Sequence, residues 1–367
     1  MNPSINHGDI TFLVHGPNIP FSTKKCLENI RLFFPNSKII FSTWKNENID
    51  ALTFDQIIYN EDPGSEAYNA PKFSVPCSYD TSKFEFTLHD KHFVVTPKKN
   101  NINRMLKTIK EALPLVETQY ICKIRSDLIL TNNTFLQYWD IFPKYHGEFK
   151  LFKHRILNNN LYAQFAHVMD KGIQFLPFHI SDWFLFGYTD DIKKLFSCDY
   201  QNINDASHYW ETRKRLNFDP FEDALWRYPT EEYICYELVK KHFPYIKFDN
   251  SDDYNAINMQ QSNKFIVDNF IMLDSDMISM KLKKYPNEFY FDSCIYNGFI
   301  TYRQWQWLYR TYCDNSYEFW NFDFKRLKAI LIKSIKNPFK IKKNFKDFGK
   351  SKILNNYFIK TRGYDEH

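Results

Sequence analysis

The sequence predicts an α/β fold built on an open, mostly parallel sheet flanked by helices. Three observations carry that expectation. The first hundred residues alternate short apolar runs with a helical spacing in a β-α-β-β rhythm broken by short turns. Apolar residues make up 44% of 367, enough for a sizeable core. Polar and charged side chains that a buried strand has no use for cluster where the predicted strands end, which is where such sheets collect ligands.

In order along the chain, residues 9–15 read as a buried strand broken by Gly16-Pro17-Asn18. Residues 23–34 have helical spacing (Cys26, Leu27, Ile30, Phe33, Phe34), with Ser22 or Thr23 placed to cap it. Residues 38–43 and 54–59 are the second and third strands, the latter closed by a turn from Asn60 to Gly64. Residues 65–97, rich in Ser, Pro, Tyr and Phe, read as an inserted loop or hairpin. A helix is expected from Asn101 to about Val116, with Ile102, Met105, Leu106, Ile109 and Leu113 on one face and Arg104 beside it. Residues 149–152 and 178–187 are further strand candidates, and 189–196 begin like a helix. Residues 200–228 are irregular. Residues 230–241 form a strong helix, with Thr230 as cap, Glu231 and Glu232 in the first turn and lysines at the end.

The stretch from Tyr120 to Leu130 is read as one strand that sets Lys123, Arg125 and Asp127 into an apolar run at period two. A buried charge costs several kcal/mol unless it is paired or meets a ligand. A strand ending at a diphosphate and a divalent metal supplies such partners, because a cation meets phosphate and a carboxylate holds the metal. The plainer reading is an edge strand with an Arg125–Asp127 surface pair.

Several function classes lose their support. No Gly-x-Gly-x-x-Gly, Walker loop or Gly-x-Ser-x-Gly elbow is present. Seven scattered cysteines without a Cys-x-x-Cys pair fit reduced thiols, not a zinc ribbon or disulfide framework. Between Asn321 and Arg362 there are thirteen Lys and Arg against two Asp, so the basic character is C-terminal and the body mildly acidic. No nucleic-acid partner is expected from that distribution.

Each candidate has an ordinary reading beside the functional one. Asp62 before Pro63-Gly64 suits a turn; Arg104 suits a snorkelling surface residue. First-turn glutamates stabilise a helix by about 0.3–1 kcal/mol. A carboxylate at a helix start facing a cleft also serves as a general base. Asp182 lies in an apolar run, where an acid needs a partner.

Taken together, Gly16-Pro17, residues 30–36 (IRLFFPN), residues 39–44 (IIFSTW), Asp62-Pro63-Gly64, Asn103-Arg104, Lys123 to Asp127, residues 182–187 (DWFLFG) and residues 231–234 (EEYI) resemble the WavE lipopolysaccharide-synthesis family. The resemblance spans residues 8 to about 240. It implies a GT-A-type glycosyltransferase of lipopolysaccharide or capsule assembly that uses a nucleotide-sugar donor. It implies Asp127 as ligand of a divalent metal (Mn²⁺ or Mg²⁺), with Arg125 standing where an Asp-x-Asp motif has its first acid. Gly16, Pro17, Thr43 and Asp62 would line the nucleoside pocket, with Arg104, Arg125 and Ser126 also on the donor side. Glu231 would be the base of an inverting transfer and Asp182 its rival.

The expected organisation is a catalytic domain at 1–250, an aromatic extension packing on it at 251–320, and a basic tail at 321–367. Leu327, Ile330, Leu331 and Ile335 flanked by lysines have the layout of an interfacial helix, which would dock on an anionic membrane surface near a lipid-linked or oligosaccharide acceptor. With no apolar stretch of roughly 18–20 residues, the chain is expected in the cytoplasm or peripherally on the inner membrane face. Two rival classes use the same features: a non-catalytic glycan- or nucleotide-binding scaffold, and a sugar- or polyol-phosphate transferase.

Overall fold

The computed structural model describes residues 5–64, 99–161, 173–202, 226–251, 253–282 and 299–319, with shorter stretches between and beyond them. The first elements are β1 (Ile10–His15), α1 (Ser22–Phe33), β2 (Lys38–Trp44), β3 (Gln56–Asn60), α2 (Ile102–Lys110), β4 (Tyr120–Arg125) and β5 (Leu128–Leu130). They are followed by β6 (Ile156–Asn159), β7 (Phe184–Tyr188), α3 (Thr189–Leu195) and α4 (Thr230–His242). The chain continues with α5 (Ala256–Asn269), β8 (Phe270–Leu273), β9 (Met280–Leu282) and α6 (Tyr302–Tyr312).

Seven strands make one sheet in the order β8-β6-β7-β4-β1-β2-β3. The β3-β2-β1-β4 run is parallel, as is the β6–β8 pair, while β7 is antiparallel to both of its neighbours. The expected α/β class is what is observed. From β1 the chain moves outward to β2 and β3 and then returns to the other side of β1 as β4. Strand order therefore reverses between β1 and β4, and a crevice opens at their carboxyl ends.

Helices cover both faces, which is why β1, β2 and β4 are buried almost continuously rather than at alternate residues. On one face α1 presents Phe34, 4.7 Å from the Phe12 ring. On the other, α2 lies over β1 and β2. Each fully buried Phe, Leu or Ile on these strands contributes about 1.5–3 kcal/mol. The start of α1 differs from expectation: Phe21 is the N-cap at φ 69°, and the Thr23 hydroxyl accepts from the Ile19 amide at 2.8 Å. Likewise Pro229, not Thr230, caps α4, with no side-chain capping bond. The helix expected to reach Val116 ends at Lys110 and passes into a 3-10 turn at Leu113–Leu115, where Pro114 removes a donor.

Two strand expectations fail for one reason, namely that side chains rather than a ladder satisfy the backbone. Residues 149–152 are irregular because the Asp268 carboxylate accepts from the His146, Gly147 and Phe149 amides, and Asn269 accepts from those of Leu151 and Phe152. The strand expected from 178 begins only at Phe184: Phe178 sits at φ 58° and donates to Ser262 Oγ at 2.7 Å. Asp182 therefore lies in a loop.

Conversely, β6 and β8 complete the sheet on the side beyond β7. Gly187 permits the close β6–β7 approach, since a Cβ there would stand 3.1 Å from Ile156 Cγ1. The segment at 251–320, expected as an extension on the catalytic domain, supplies β8 to the main sheet itself, and α6 packs on β8 and α5. On α6, Trp305 and Tyr309 are core, with Trp305 buried 4.6 Å from the Phe142 ring. Within 65–97, Tyr79–Asp80, Glu85–Leu88 and Lys91–Val94 form a small antiparallel sheet. Most of 200–228 and, apart from Leu331 and Ile335, the basic tail lie outside the described residues.

Candidate active site

The run from Tyr120 to Leu130 is two strands, not one. β4 ends at Arg125, and β5 joins a separate two-stranded sheet with β9. The break is made by Ser126, whose amide donates to the His15 carbonyl at 2.9 Å and whose hydroxyl donates to the Pro17 carbonyl at 2.7 Å. Gly16 is required beside it: its φ is +116°, and a Cβ there would lie 3.1 Å from Ser126 Oγ. Gly16, Pro17 and Ser126 thus form one backbone-lined floor at the switch point.

The turn carries Asp127 back against Arg125. The guanidinium donates through Nε at 3.0 Å and through a terminal nitrogen at 2.8 Å, one bond to each carboxylate oxygen. The Arg125 guanidinium carbon lies 4.4 Å from the Trp183 ring centre, and its amide donates to the Trp183 carbonyl. The Asp127 side chain is 9% exposed and that of Arg125 29%, so the arginine is the more solvent-facing of the two.

A second fork stands at the far side. Arg104 on α2 donates to both oxygens of Asp62, at 2.8 and 2.6 Å, and its guanidinium carbon lies 5.0 Å from the Trp44 ring centre. Asp62 also accepts from the Gly64 amide at 2.9 Å, so the turn role and the pairing role coexist. β3 and β4 are three strand spacings apart, about 14 Å. Thr43 is fully buried, and its hydroxyl has no hydrogen-bond partner. By strand alternation Thr43 points to the opposite side of the sheet from Trp44.

The third group lies around the start of β7, which is antiparallel and so begins beside the carboxyl end of β4. Asp182 precedes it, and Glu231 opens α4 with its carboxylate 3.9 Å from His179 Nε2. Glu232 is fully buried, neither of its oxygens has a hydrogen-bond partner among the described residues, and burial together with the neighbouring Glu231 pushes its carboxyl well above the usual range. Lys123 lies on the same strand face as Arg125, fully buried, its ammonium without a hydrogen bond. Burial lowers its pKa to about 8, opposed by the Asp182 and Glu231 carboxylates and reinforced by Arg125. His15, also on that face, is held well below its ordinary value by burial and by the Lys123 and Arg125 charges. Its Nδ1 lies 3.2 Å from the Thr108 hydroxyl.

Among the described residues no group of three or more His, Cys, Asp or Glu is arranged to hold a metal ion. Asp127, the expected ligand, has both oxygens engaged by Arg125. Each Asp127 oxygen keeps a further acceptor site, but an Mg²⁺ or Mn²⁺ there would stand against the Arg125 guanidinium with no group of three ligating side chains among the described residues to hold it, so this donor set fits such an ion poorly.

A family model described as WavE lipopolysaccharide synthesis matches residues 10–76 and 90–338. The chain belongs to the WavE family. This membership places it in lipopolysaccharide synthesis, on a Rossmann-like α/β scaffold. A search of curated proteins found no match. Among the described residues of this WavE protein no helix is long and apolar enough to cross a membrane.

Sequence reasoning singled out both arginines and their acids, and offered the Arg125–Asp127 pair as its plainer reading, but not the Arg104–Asp62 pair. It set Lys123 beside Arg125 as a charge in an apolar run but gave no role to His179, Trp44 or Trp183. The signal available for Lys123 was its place on the strand, two residues before Arg125.

Proposed function

We propose that this WavE protein is a GT-A-type glycosyltransferase that moves a sugar from a nucleotide-sugar donor to a hydroxyl of a lipopolysaccharide or capsule precursor. The observation that carries the reading is the partly exposed Arg125 guanidinium, held at the switch-point end of β4 by Asp127 and Trp183 beside the Gly16–Ser126 floor. A fixed guanidinium there meets a diphosphate with charge-assisted hydrogen bonds. The donor would lie across the carboxyl ends of β4, β1, β2 and β3, with its nucleoside toward Trp44, Asp62 and Arg104.

The acceptor hydroxyl oxygen attacks the anomeric carbon, and the bond from that carbon to the diphosphate oxygen breaks with its electron pair. Nucleoside diphosphate leaves. Glu231 takes the hydroxyl proton, with His179 at 3.9 Å beside it; Asp182 is the alternative base. Arg125 offsets the charge that develops on the departing diphosphate, and such preorganised charge is commonly the largest catalytic contribution. The basic tail would keep the protein at an anionic inner membrane face, near a lipid-linked acceptor.

The test is a panel of nucleotide sugars incubated with the full chain and a lipopolysaccharide-precursor acceptor, with products resolved by mass spectrometry. Nucleoside diphosphate plus a glycosylated acceptor supports the reading. Nucleoside monophosphate means that a sugar- or polyol-phosphate moves instead, and no turnover of any donor favours a binding scaffold.

A further inference from the structure

The end of β4 carries two cations against one carboxylate, and one of the cations is unused. We propose that Lys123 and Arg125 together hold the donor diphosphate in place of a divalent metal, with Asp127 positioning Arg125 rather than binding an ion. The inference rests on the glycosyl-donor reading above and specifies how that site meets its anion.

Three observations support it. First, both Asp127 oxygens receive hydrogen bonds from Arg125, at 3.0 and 2.8 Å. A metal would have to share those oxygens with the guanidinium and so stand within a few ångströms of a fixed positive charge. Second, the Lys123 ammonium is fully buried yet donates no hydrogen bond among the described residues, so no protein acceptor there matches its three donors. An ammonium left this way destabilises the fold, and an apolar residue in its place would not. Third, the ammonium lies toward the carboxyl end of the strand. It feels the charges of Asp182, Arg125 and Glu231, and the first and last of these come from the loop before β7 and the start of α4. Around it also stand the Cys122 thiol and, from α3, the Phe196 ring centre at 5.9 Å. His15 is kept neutral by burial and by these same cations, so it adds no third charge.

Lys123 and Arg125 are two residues apart on one strand face, about 7 Å along the strand. Neighbouring phosphoryl groups of one diphosphate match two cations so placed. Lys123, as a compact charge, would take the inner phosphate oxygens, and Arg125 would take the outer phosphate through its planar fork.

The test is calorimetric titration of the full chain with UDP, GDP, CDP, ADP and dTDP, in EDTA and separately in Mn²⁺, comparing wild type with Lys123→Met and Arg125→Gln. The expected result is one diphosphate bound in EDTA within about threefold of its affinity in Mn²⁺, weakened at least tenfold by either substitution. The nucleoside alone should bind Lys123→Met and wild type equally. Unchanged melting of Lys123→Met separates lost binding from lost folding, and if it melts early, Lys123→Arg must retain metal-free binding. Binding that requires Mn²⁺, or Lys123→Met binding as tightly as wild type, overturns the inference while leaving the glycosyl-donor reading intact. No binding of any diphosphate in either condition overturns both.

Discussion

Arg104 and Asp62, separated by 42 residues of chain, meet through two parallel hydrogen bonds of 2.8 and 2.6 Å that tie α2 to the turn after β3. The pair is partly solvated, with side chains 31% and 39% exposed, so its contribution to stability should be at most about 1 kcal/mol. Arg104→Ala should shift the melting temperature by only a few degrees yet weaken donor binding severalfold, because the edge of the nucleoside side is no longer held. A large melting loss with unchanged donor affinity would make the pair purely structural.

Asp127→Ala releases Arg125 without removing it. The guanidinium keeps its Trp183 neighbour and its solvent exposure, so circular dichroism should be unchanged while kcat/KM falls at least a hundredfold. Retained transfer would refute the positioning of Arg125 by Asp127.

Glu232 should make the fold sensitive to pH. Its folded-state pKa is raised, by burial first and Glu231 second. Below about pH 4.3, the ordinary glutamate value, both folded and unfolded states are protonated. Above it, the unfolded state ionises first, so stability falls by about 1.4 kcal/mol per pH unit until the folded-state pKa is reached. Glu232→Gln should flatten this slope in denaturant titrations between pH 4 and 7. An unchanged slope would mean that Glu232 is not the group responsible.

Lys123 predicts the opposite slope at alkaline pH. Its pKa is lowered from 10.5 to about 8, chiefly by burial. Below pH 8 both states carry the proton. Between pH 8 and 10.5 the folded state loses it first, so stability rises, by about 3 kcal/mol in all. Lys123→Met should abolish this rise and stabilise the protein at pH 7; a destabilised variant with the alkaline rise intact would contradict the buried, unpartnered ammonium.

Glu231→Gln and Asp182→Asn distinguish the two base candidates. General-base removal costs roughly a hundredfold to ten-thousandfold in rate. The large loss is expected in kcat of Glu231→Gln, with donor affinity unchanged, and in Asp182→Asn only if Asp182 is the base.

Much of the scaffold was readable because its signal is local. β1, α1, β2, β3 and α4 announce themselves through apolar runs, helical spacing and Pro or Gly punctuation within a few residues. The strands β6 and β8 did not, because four-residue segments carry no periodicity that separates them from loop or helix end. The break after Arg125 was hidden for a related reason. Ser126 leaves the ladder to bond His15 and Pro17 carbonyls more than a hundred residues away.

By itself the sequence determined which residues bear charge in an apolar setting, since burying Lys123, Arg125, Asp127 or Asp182 is unfavourable wherever it happens. Only the tertiary structure decided which of those charges cancel. Arg125 closes on Asp127 and Arg104 on Asp62, while Lys123 and Glu232 are enclosed without a hydrogen-bond partner. Pairing depends on distances of a few ångströms between atoms whose separation along the chain says nothing about their separation in space.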